Sequence, residues 1–193
     1  MSDGPGVKIG PWTRLSSREV YANPWIQVRE DQILRPNGSP GIYGVVHMRN
    51  ISVGVVPIDA RGRVVLVGQH RYTMDAYTWE LPEGNANPGE GSMQEAAARE
   101  LREETGFSAA RWDFLGLIQI SNSVTDDIGH LFLARDLTEG NAEPDPTEDL
   151  AVKVVDLAEA HRMAMEGELT ESLTVAGLAR AVHFLDQEAR RSR

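Results

Sequence analysis

Apolar residues recur along much of the chain in short runs that predict strands. Residues 17–48 alternate between apolar and polar positions on either side of the turn Pro36-Asn37-Gly38-Ser39, a pattern typical of antiparallel strands. Two apolar, β-branched runs follow at residues 51–58 and 63–67, joined by Asp59-Ala60-Arg61-Gly62. These joining residues favour a hairpin turn between two core strands.

A helix is predicted near the middle of the chain, beyond a short strand at residues 77–81. Ser92 and Glu95 have the spacing of a capping box, in which each side chain binds the backbone N–H of the other residue. The residues of Met93–Thr105 favour a helix, and Gly106 supplies the stop signal.

The second half of the chain mixes strands with helices. Strands are expected at residues 112–120, 130–134 and 152–155, a polar loop at 136–149, and helices from the cap Asp156 to about residue 165 and at 172–189. This order favours an α/β or α+β sandwich, and element order alone leaves both open.

Length and composition limit the class to which the protein can belong. A chain of 193 residues with 41% hydrophobic residues can bury one main core. We find neither an apolar run of about 18 residues nor a secretory signal, and there is no cysteine for disulfides or thiolate chemistry. We therefore expect a cytoplasmic protein that does not enter a membrane.

The net charge of −10 bears on the partners of the protein. Proteins that bind nucleic acids usually carry a clustered basic surface, and the sequence has no such cluster. We therefore expect no nucleic acid partner. A small phosphorylated substrate stays compatible with an acidic protein, because bound divalent metals reverse the local sign of the field.

Three glutamates gather on one face of the predicted helix. At roughly 100° per residue, Glu100, Glu103 and Glu104 fall within an arc of about 100°. Ala97 and Leu101 project beside that arc, so the acids border the stripe that we expect to be buried. A solvated surface with i,i+4 ion pairs is the alternative interpretation. The position beside the buried stripe favours a metal site, because carboxylates there are costly without a cation.

The segment before the helix strengthens the metal hypothesis. Trp79-Glu80-Leu81-Pro82-Glu83-Gly84 leads from the strand into a glycine-containing loop, and such loops bring backbone carbonyls and amides next to a ligand. Glutamate side chains and a loop carbonyl form the hard-oxygen set that Mg²⁺ or Mn²⁺ prefers, and phosphate oxygens complete the shell. The sequence therefore predicts metal-assisted chemistry on a phosphorylated substrate.

Residues 84–107, GNANPGEGSMQEAAARELREETGF, resemble the Nudix box, whose pattern is G-x5-E-x7-R-E-U-x-E-E-x-G-U with U aliphatic or bulky. The residues with counterparts are Gly84, Glu90, Arg99, Glu100, Leu101, Glu103, Glu104, Gly106 and Phe107. One extra residue separates Glu90 from Arg99, and we place it around Gly91, before the helix cap. We expect this insertion to change the loop and to leave the metal face intact.

The flanking segments resemble the branch of the Nudix family that hydrolyses ADP-ribose and nucleoside diphosphate sugars. Residues 64–72, VVLVGQHRY, are similar to a family segment whose arginine contacts the substrate, and residues 79–84 are similar to the ELPAG segment before the box. The resemblance implies a Nudix-type α/β/α sandwich with a mixed sheet in residues 49–193. It also implies that residues 1–48 form an antiparallel β extension that makes a homodimer and contributes to the substrate site.

The resemblance also implies roles for the acidic residues. The carbonyl of Glu83 and the carboxylates of Glu100, Glu103 and Glu104 would bind two or three magnesium ions around the diphosphate. Glu103 and Glu104 would thereby be catalytic, as would Glu148, which lies in the loop where the branch carries a general base or an extra metal ligand. The products would be a nucleoside monophosphate and a sugar phosphate.

Five residues are candidates for substrate binding. Arg71 matches the substrate arginine of the family, and Glu80 lies in the strand that resembles the family segment. Trp25 can stack on a nucleobase, and His47 and Arg49 can reach a substrate from the β extension. For these last three residues the alternative is a place in the core, in the dimer interface or on the surface.

ADP-ribose is the favoured substrate, with alternatives open. Residues 121–127, SNSVTDD, resemble a loop that reads S-P-G-x-S-D-E in ADP-ribose enzymes, with Asn122 replacing the proline and Ser123 the glycine. This departure leaves other nucleotide sugars, such as GDP-mannose, open. A non-catalytic metabolite sensor is a second functional hypothesis, although a sensor would be expected to have lost the box carboxylates. A β-rich interaction domain with a charged surface helix is a third functional hypothesis.

Overall fold

The computed structural model describes residues 6–86, 89, 91–143 and 149–192. Its strands are β1 (Val7–Ile9), β2 (Trp12–Ala22), β3 (Ile26–Leu34), β4 (Pro40–Met48), β5 (Ile51–Pro57), β6 (Arg63–Arg71), β7 (Ala76–Glu80), β8 (Glu83–Ala86), β9 (Phe107–Gln119), β10 (Ile128–Glu139) and β11 (Ala151–Asp156). Its helices are α1 (Met93–Thr105), α2 (Leu157–Met165) and α3 (Ser172–Arg191). None of the helices in the described ranges is long and apolar enough to cross a membrane.

The chain forms two compact units. Within the described ranges, the first contains residues 6–50 together with 119–127, and the second contains the described residues of 51–118 and 128–192. In the first unit, β1 to β4 form an antiparallel sheet in chain order. The segment 119–127 joins this sheet at β4, where the N–H of Val46 donates to the carbonyl of Val124 at 2.8 Å.

The second unit contains a mixed sheet of order β8-β5-β10-β9 and a three-stranded sheet of order β11-β6-β7. The mixed character comes from β5, which pairs in parallel with β10 and antiparallel with β8. Such a strand is central in its sheet, so both of its faces need cover. This requirement explains why the run from Val53 to Ile58 is buried throughout.

The two faces of β5 and β10 pack against different helices. Val53, Val55 and Phe132 belong to a buried cluster with Ala97 and Leu101 of α1. Val56 of β5 and Leu133 of β10 belong to a second cluster, which also contains residues of β6, α2 and α3. The buried members of this cluster are Val56, Ile58, Val64, Leu66, Leu81, Leu133, Ala160, Ala164, Leu169, Leu178 and Ala181. The period of two along each strand thus places helices on opposite faces of the sheet.

The predicted hairpin between β5 and β6 is wrong, although its turn forms. The carboxylate of Asp59 accepts the N–H groups of Arg61 and Arg63 at 2.8 and 2.9 Å, and the N–H of Gly62 donates to the Asp59 carbonyl. Beyond the turn, a single bridge between Ile58 and Val64 joins the two segments. Each strand is buried as a central strand of its own sheet, so the two strands diverge instead of pairing.

All three helices form where they were predicted. Ser92 and Glu95 form the complete capping box, and Gly106 ends α1 in the left-handed region at φ 77°. Asp156 precedes α2 as predicted, but its side chain makes no capping hydrogen bond. The loop predicted from residue 136 begins later, because β10 continues to Glu139.

The start of α3 supports the segment between β7 and β8. Both carboxylate oxygens of Glu171 accept N–H groups of the first turn, from Leu173 at 2.9 Å and Thr174 at 2.7 Å. The hydroxyl of Thr174 in turn accepts the buried N–H of Leu81 at 2.9 Å. This hydrogen bond joins α3 to the residues between β7 and β8, which lead towards α1.

Replacing Thr174 with valine tests that connection. The variant keeps the side-chain shape and leaves the buried N–H of Leu81 without an acceptor, which should lower the free energy of unfolding by about 1–3 kcal/mol. Urea denaturation measures the change. Thr138→Val, at an exposed position, is the matched control and should stay within about 0.5 kcal/mol of the parent. Equal stability of Thr174→Val and the parent would contradict the assigned role.

Candidate active site

The candidate active site lies where β6, β7, β8 and α1 meet in the second unit. Glu80 ends β7, Glu83 begins β8, and α1 contributes Glu100, Glu103 and Glu104. The backbone between the two strands is fixed, because the N–H of Val55 donates to the carbonyl of Pro82 at 2.9 Å. A cavity of about 180 Å³ opens here.

Arg71, at the end of β6, binds two of these carboxylates at once. Its Nη2 lies 2.7 Å from Oε1 of Glu80 and 2.6 Å from Oε1 of Glu83, and its Nε donates to Oε2 of Glu80 at 3.2 Å. Gln69 adds a hydrogen bond to Glu80 at 2.9 Å. Glu80 is fully buried, and both of its carboxylate oxygens accept hydrogen bonds. This predicted substrate ligand therefore binds Arg71 and Gln69 in the structure.

Glu100 and Glu104 hold the backbone of β8. The carboxylate of Glu104, with 5% of the residue exposed, accepts the N–H of Glu83 at 3.1 Å. The carboxylate of Glu100 accepts the N–H of Asn85 at 3.0 Å. A Cβ at Gly84 would overlap the Glu100 carboxylate, so a side chain at this position of β8 would displace the acid from the N–H of Asn85.

Arg99 connects the same strand to the outer part of the acidic face. Its Nη1 lies 3.0 Å from Glu100 and 2.9 Å from Glu103, and its Nη2 donates to the carbonyl of Asn85 at 2.9 Å. The Glu103 side chain is 33% exposed, against 14% for Glu100. The predicted acidic face is therefore graded, from the buried Glu104 to the half-buried Glu103.

Burial raises the pKa of Glu80, Glu83 and Glu100 above the ordinary value for glutamate. For Glu83 the pKa is raised well above that value, because the carboxylates of Glu171 and Glu80 add to the effect of burial while Arg71 opposes it. The folded site therefore concentrates negative charge where water is scarce, and a bound cation would relieve this cost.

The donor set fits a hard divalent cation in chemistry and charge. The five carboxylates of Glu80, Glu83, Glu100, Glu103 and Glu104 surround two guanidinium groups, those of Arg71 and Arg99, in this part of the described chain. Among the described residues no three acidic or imidazole side chains converge at metal-ligating distances. The carboxylates instead bind Arg71 and Arg99. They would have to turn away from these guanidinium groups to reach a cation. Glu148 lies outside the described residues.

Comparison with known proteins decides the family. The NUDIX domain model matches residues 48–173, which is more than half of the chain. The chain belongs to the Nudix family. A second model, described as the nucleoside diphosphate sugar hydrolase N-terminal domain, matches residues 12–46.

Individual relatives of this Nudix protein match along most of its length. The ADP-ribose pyrophosphatase of Mycobacterium tuberculosis is 32% identical over 88% of this chain and 82% of the relative. The methanol dehydrogenase activator of Bacillus methanolicus is 28% identical over 91% and 93%. A crystal structure of an ADP compounds hydrolase has a TM-score of 0.84 at 25% identity, and covers 95% of this chain and 99% of that one. The predicted Nudix family, α/β/α fold and hydrolase class are confirmed.

Three predicted substrate ligands of the Nudix protein lie in the first unit. Trp25 is 65% exposed, and its carbonyl accepts the N–H of Arg49 at 3.0 Å. His47 is also exposed, and its Nδ1 lies 2.6 Å from a carboxylate oxygen of Asp126. Trp25 is thus no core residue, and it is available for stacking or for an interface.

Several contacts of the Nudix site were not predicted from the sequence. Gln69 binds Glu80, Asn85 binds both Glu100 and Arg99, and Glu171 faces Glu83. Alternation along β6 offered a signal for Gln69, since it shares a strand face with Arg71. Glu171 could have been marked as a cap before a helical run, but its approach to Glu83 depends on tertiary packing.

Replacing Glu100 with glutamine tests the cost of the buried charge. Because folding raises the pKa of Glu100, its ionised form destabilises the metal-free protein above that raised pKa. Below the ordinary value of 4.5, the carboxyl is protonated in both states and the cost vanishes. In a chelator, Glu100→Gln should therefore melt above the parent at pH 7–8, and the difference should shrink on acidification.

Calorimetric melting curves from pH 8 to pH 4.5 measure this effect. Glu139→Gln, at an exposed position of β10, is the control and should show no such pH-dependent difference. A Glu100→Gln variant that melts below the parent at pH 8 in chelator would show that Arg99 and Asn85 fully compensate the charge.

Proposed function

We propose that the protein hydrolyses the diphosphate of a nucleoside diphosphate sugar in a reaction that needs Mg²⁺, or Mn²⁺ in its place. ADP-ribose is the favoured substrate, and the products are a nucleoside monophosphate and a sugar phosphate. The observation that carries the proposal is the acidic face of α1, from the buried Glu104 to the half-buried Glu103, beside the backbone of Glu83. An acidic site of this kind needs cations before it can accept a diphosphate.

The carbonyl of Glu83 and the carboxylates of Glu100, Glu103 and Glu104 would hold the metal. Bound divalent cations supply polarisation of the phosphoryl oxygens and a lowered pKa for water. The protein contributes the fixed positions of these oxygens, because the N–H groups of Glu83 and Asn85 already orient two of the carboxylates. Orientation by such hydrogen bonds typically matters 10- to 100-fold for metal affinity or activity.

Arg71 is the proposed phosphate ligand from the protein. Its guanidinium is planar and permanently charged, so it can bind phosphate oxygens in the same forked way as it binds Glu80. The side chain is 36% exposed, which leaves part of the fork accessible from the cavity. Glu148 is the proposed general base or additional metal ligand, from its place in the loop before β11.

The choice of ADP-ribose as substrate is supported by similar proteins. A similar protein from Mycobacterium tuberculosis is called an ADP-ribose pyrophosphatase, and a solved structure of the same fold is that of an ADP compounds hydrolase. GDP-mannose and other nucleotide sugars are the alternative substrates, and a metabolite sensor without hydrolysis is the alternative class of protein.

The lack of cysteine and of long apolar runs supports the cytoplasmic location that we propose.

Glu104→Gln is the decisive variant for the hydrolase. Glutamine keeps the acceptor for the N–H of Glu83 but removes the charge, so we expect turnover to fall by at least about 100-fold while the melting temperature in chelator stays close to that of the parent. Product analysis with Mg²⁺ across ADP-ribose, GDP-mannose, UDP-glucose and ATP measures both activity and preference. Glu139→Gln is the control and should retain full turnover.

Two outcomes of this assay would reject the proposal. Parental turnover in Glu104→Gln would exclude the metal assignment. Saturable binding of ADP-ribose without product by the parent, in Mg²⁺ and in Mn²⁺, would identify a sensor.

We also propose that the N-terminal unit makes a homodimer and brings Trp25, His47 and Arg49 to the substrate. The exposed large hydrophobic residues of this unit support an interface: Val7, Ile9, Leu15, Val20, Tyr21, Trp25 and Ile42. Large apolar patches on a protein surface commonly mark protein contacts.

Sedimentation equilibrium at micromolar concentration tests the homodimer. The expected mass is twice that of the 21.3 kDa chain. A single species at the chain mass across the concentration range would refute the dimer and leave the proposed hydrolysis standing.

A further inference from the structure

The connection from β7 to β8 ends on Glu83, whose carbonyl is a proposed metal ligand. Pro82 has no N–H group, so the backbone donors here belong to Leu81 and Glu83, and each is bound by a side chain of a different helix. The N–H of Leu81 donates to Oγ1 of Thr174 in α3 at 2.9 Å. The N–H of Glu83 donates to the carboxylate of Glu104 in α1 at 3.1 Å. The position of this connection therefore depends on α3 as well as on the helix that carries the acidic face.

Close packing of α3 on Leu81 fixes the place of Thr174. Gly177 lies three positions further along α3 and thus on the same face, and a Cβ at Gly177 would come within 2.7 Å of Cδ1 of Leu81. Leu81 and Thr174 are both fully buried. Both the backbone and the side chain of Leu81 are therefore held by one face of α3, at a place that is closed to bulk water.

The same helix packs against the strand that pairs with Glu83. Gly54 of β5 is the register partner of Glu83 in β8, and a Cβ at Gly54 would lie 3.5 Å from the Cβ of Leu173. Leu173 also lines the cavity beside the acidic face. The first turn of α3 thus contacts the backbone on both sides of Glu83, at the preceding connection and at the paired strand.

A bound cation would affect these hydrogen bonds unequally. Glu104 is itself a proposed metal ligand, so a cation would compete with the N–H of Glu83 for its carboxylate. The hydroxyl of Thr174 is no proposed ligand, and neither is the carbonyl of Pro82, which accepts the N–H of Val55 at 2.9 Å. Both would keep their partners. Thr174 therefore supplies the side-chain contact that would still fix the connection before β8 with the metal bound.

We propose that Thr174 is a positioning residue for the metal site, whose hydroxyl holds the backbone that presents the Glu83 carbonyl and thereby sets the affinity for Mg²⁺ or Mn²⁺. This inference rests on the proposed function, and it adds a determinant of metal affinity that lies in α3, outside the residues that resemble the Nudix box. Groups that orient metal ligands directly are worth about 10- to 100-fold in affinity or activity. Thr174 acts through the intervening backbone, so its effect is smaller, about three- to tenfold.

Thr174→Val tests the proposal, because valine keeps the shape of the side chain and leaves no space for a water molecule in place of the hydroxyl. Binding of Mn²⁺ to the protein without substrate is measured from the electron paramagnetic resonance signal of free Mn²⁺, at a temperature at which every variant is folded. The dissociation constant for Mn²⁺ should rise about three- to tenfold. Thr174→Ser restores the acceptor for the N–H of Leu81 and should return the constant to near that of the parent.

Ile58→Val is the control for a loss of stability alone. It removes one buried CH₂ group just after β5, beyond the end of that strand that pairs with β8. It should therefore lower the melting temperature and leave the dissociation constant for Mn²⁺ unchanged. A folded Thr174→Val with the parental constant would overturn the proposal. An equal rise of the constant in Ile58→Val, or a serine variant that binds Mn²⁺ as weakly as the valine variant, would overturn it as well.

Turnover separates this inference from the proposed hydrolysis. With ADP-ribose, Thr174→Val should need about three- to tenfold more Mg²⁺ for its half-maximal rate, and saturating Mg²⁺ should recover most of that rate. If Thr174→Val weakens Mn²⁺ binding and the parent hydrolyses no nucleotide sugar, the hydrolase falls and the role of Thr174 stands. If the parent hydrolyses ADP-ribose and the variant has the parental metal dependence, the role of Thr174 falls alone. A parent that binds no Mn²⁺ would overturn both.

Discussion

The burial of ionised carboxylates between two strands and a helix is the constraint on which this structure depends. Taking a carboxylate out of water costs several kcal/mol unless other groups replace the water. For Glu80 the replacement is Arg71, with contacts to both oxygens, and for Glu104 it is the N–H of Glu83. Because each replacing group belongs to a different element, the acids themselves fix how β6, β8 and α1 meet.

That constraint also explains residue types that composition and periodicity leave open. Glycine at position 84 leaves room for the carboxylate of Glu100, which a side chain there would displace. Arginine suits position 71 because a planar fork can bind Glu80 and Glu83 together, which the single ammonium group of lysine does less well. Compensation is still incomplete, since the acids outnumber the guanidinium groups. The residual negative charge costs stability in the free protein, and on the proposed function a bound cation would relieve this cost.

The sequence predicted what local chemistry determines, and it missed what packing between distant segments determines. The limits of α1 were correct because Ser92, Glu95 and Gly106 encode both ends of the helix within a few residues. The acidic face followed from the helical period alone. The β5–β6 hairpin failed because the turn at Asp59 is compatible with paired and with diverging strands, and burial of both strands in separate sheets decides between them. The position of Glu171 beside Glu83 could not be predicted, because the two residues meet through tertiary packing.

Unpaired polar atoms carry information only when their surroundings are considered. Asp31 has a buried oxygen without a partner, but its cavity of about 200 Å³ is lined mainly by apolar side chains such as Trp12 and Ile33. A polar ligand there would leave most of its own groups unsatisfied. At Glu83 the surroundings are the acids Glu171 and Glu80, so burial and like charge together raise the pKa of this carboxyl, and a cation rather than a neutral ligand would relieve the cost.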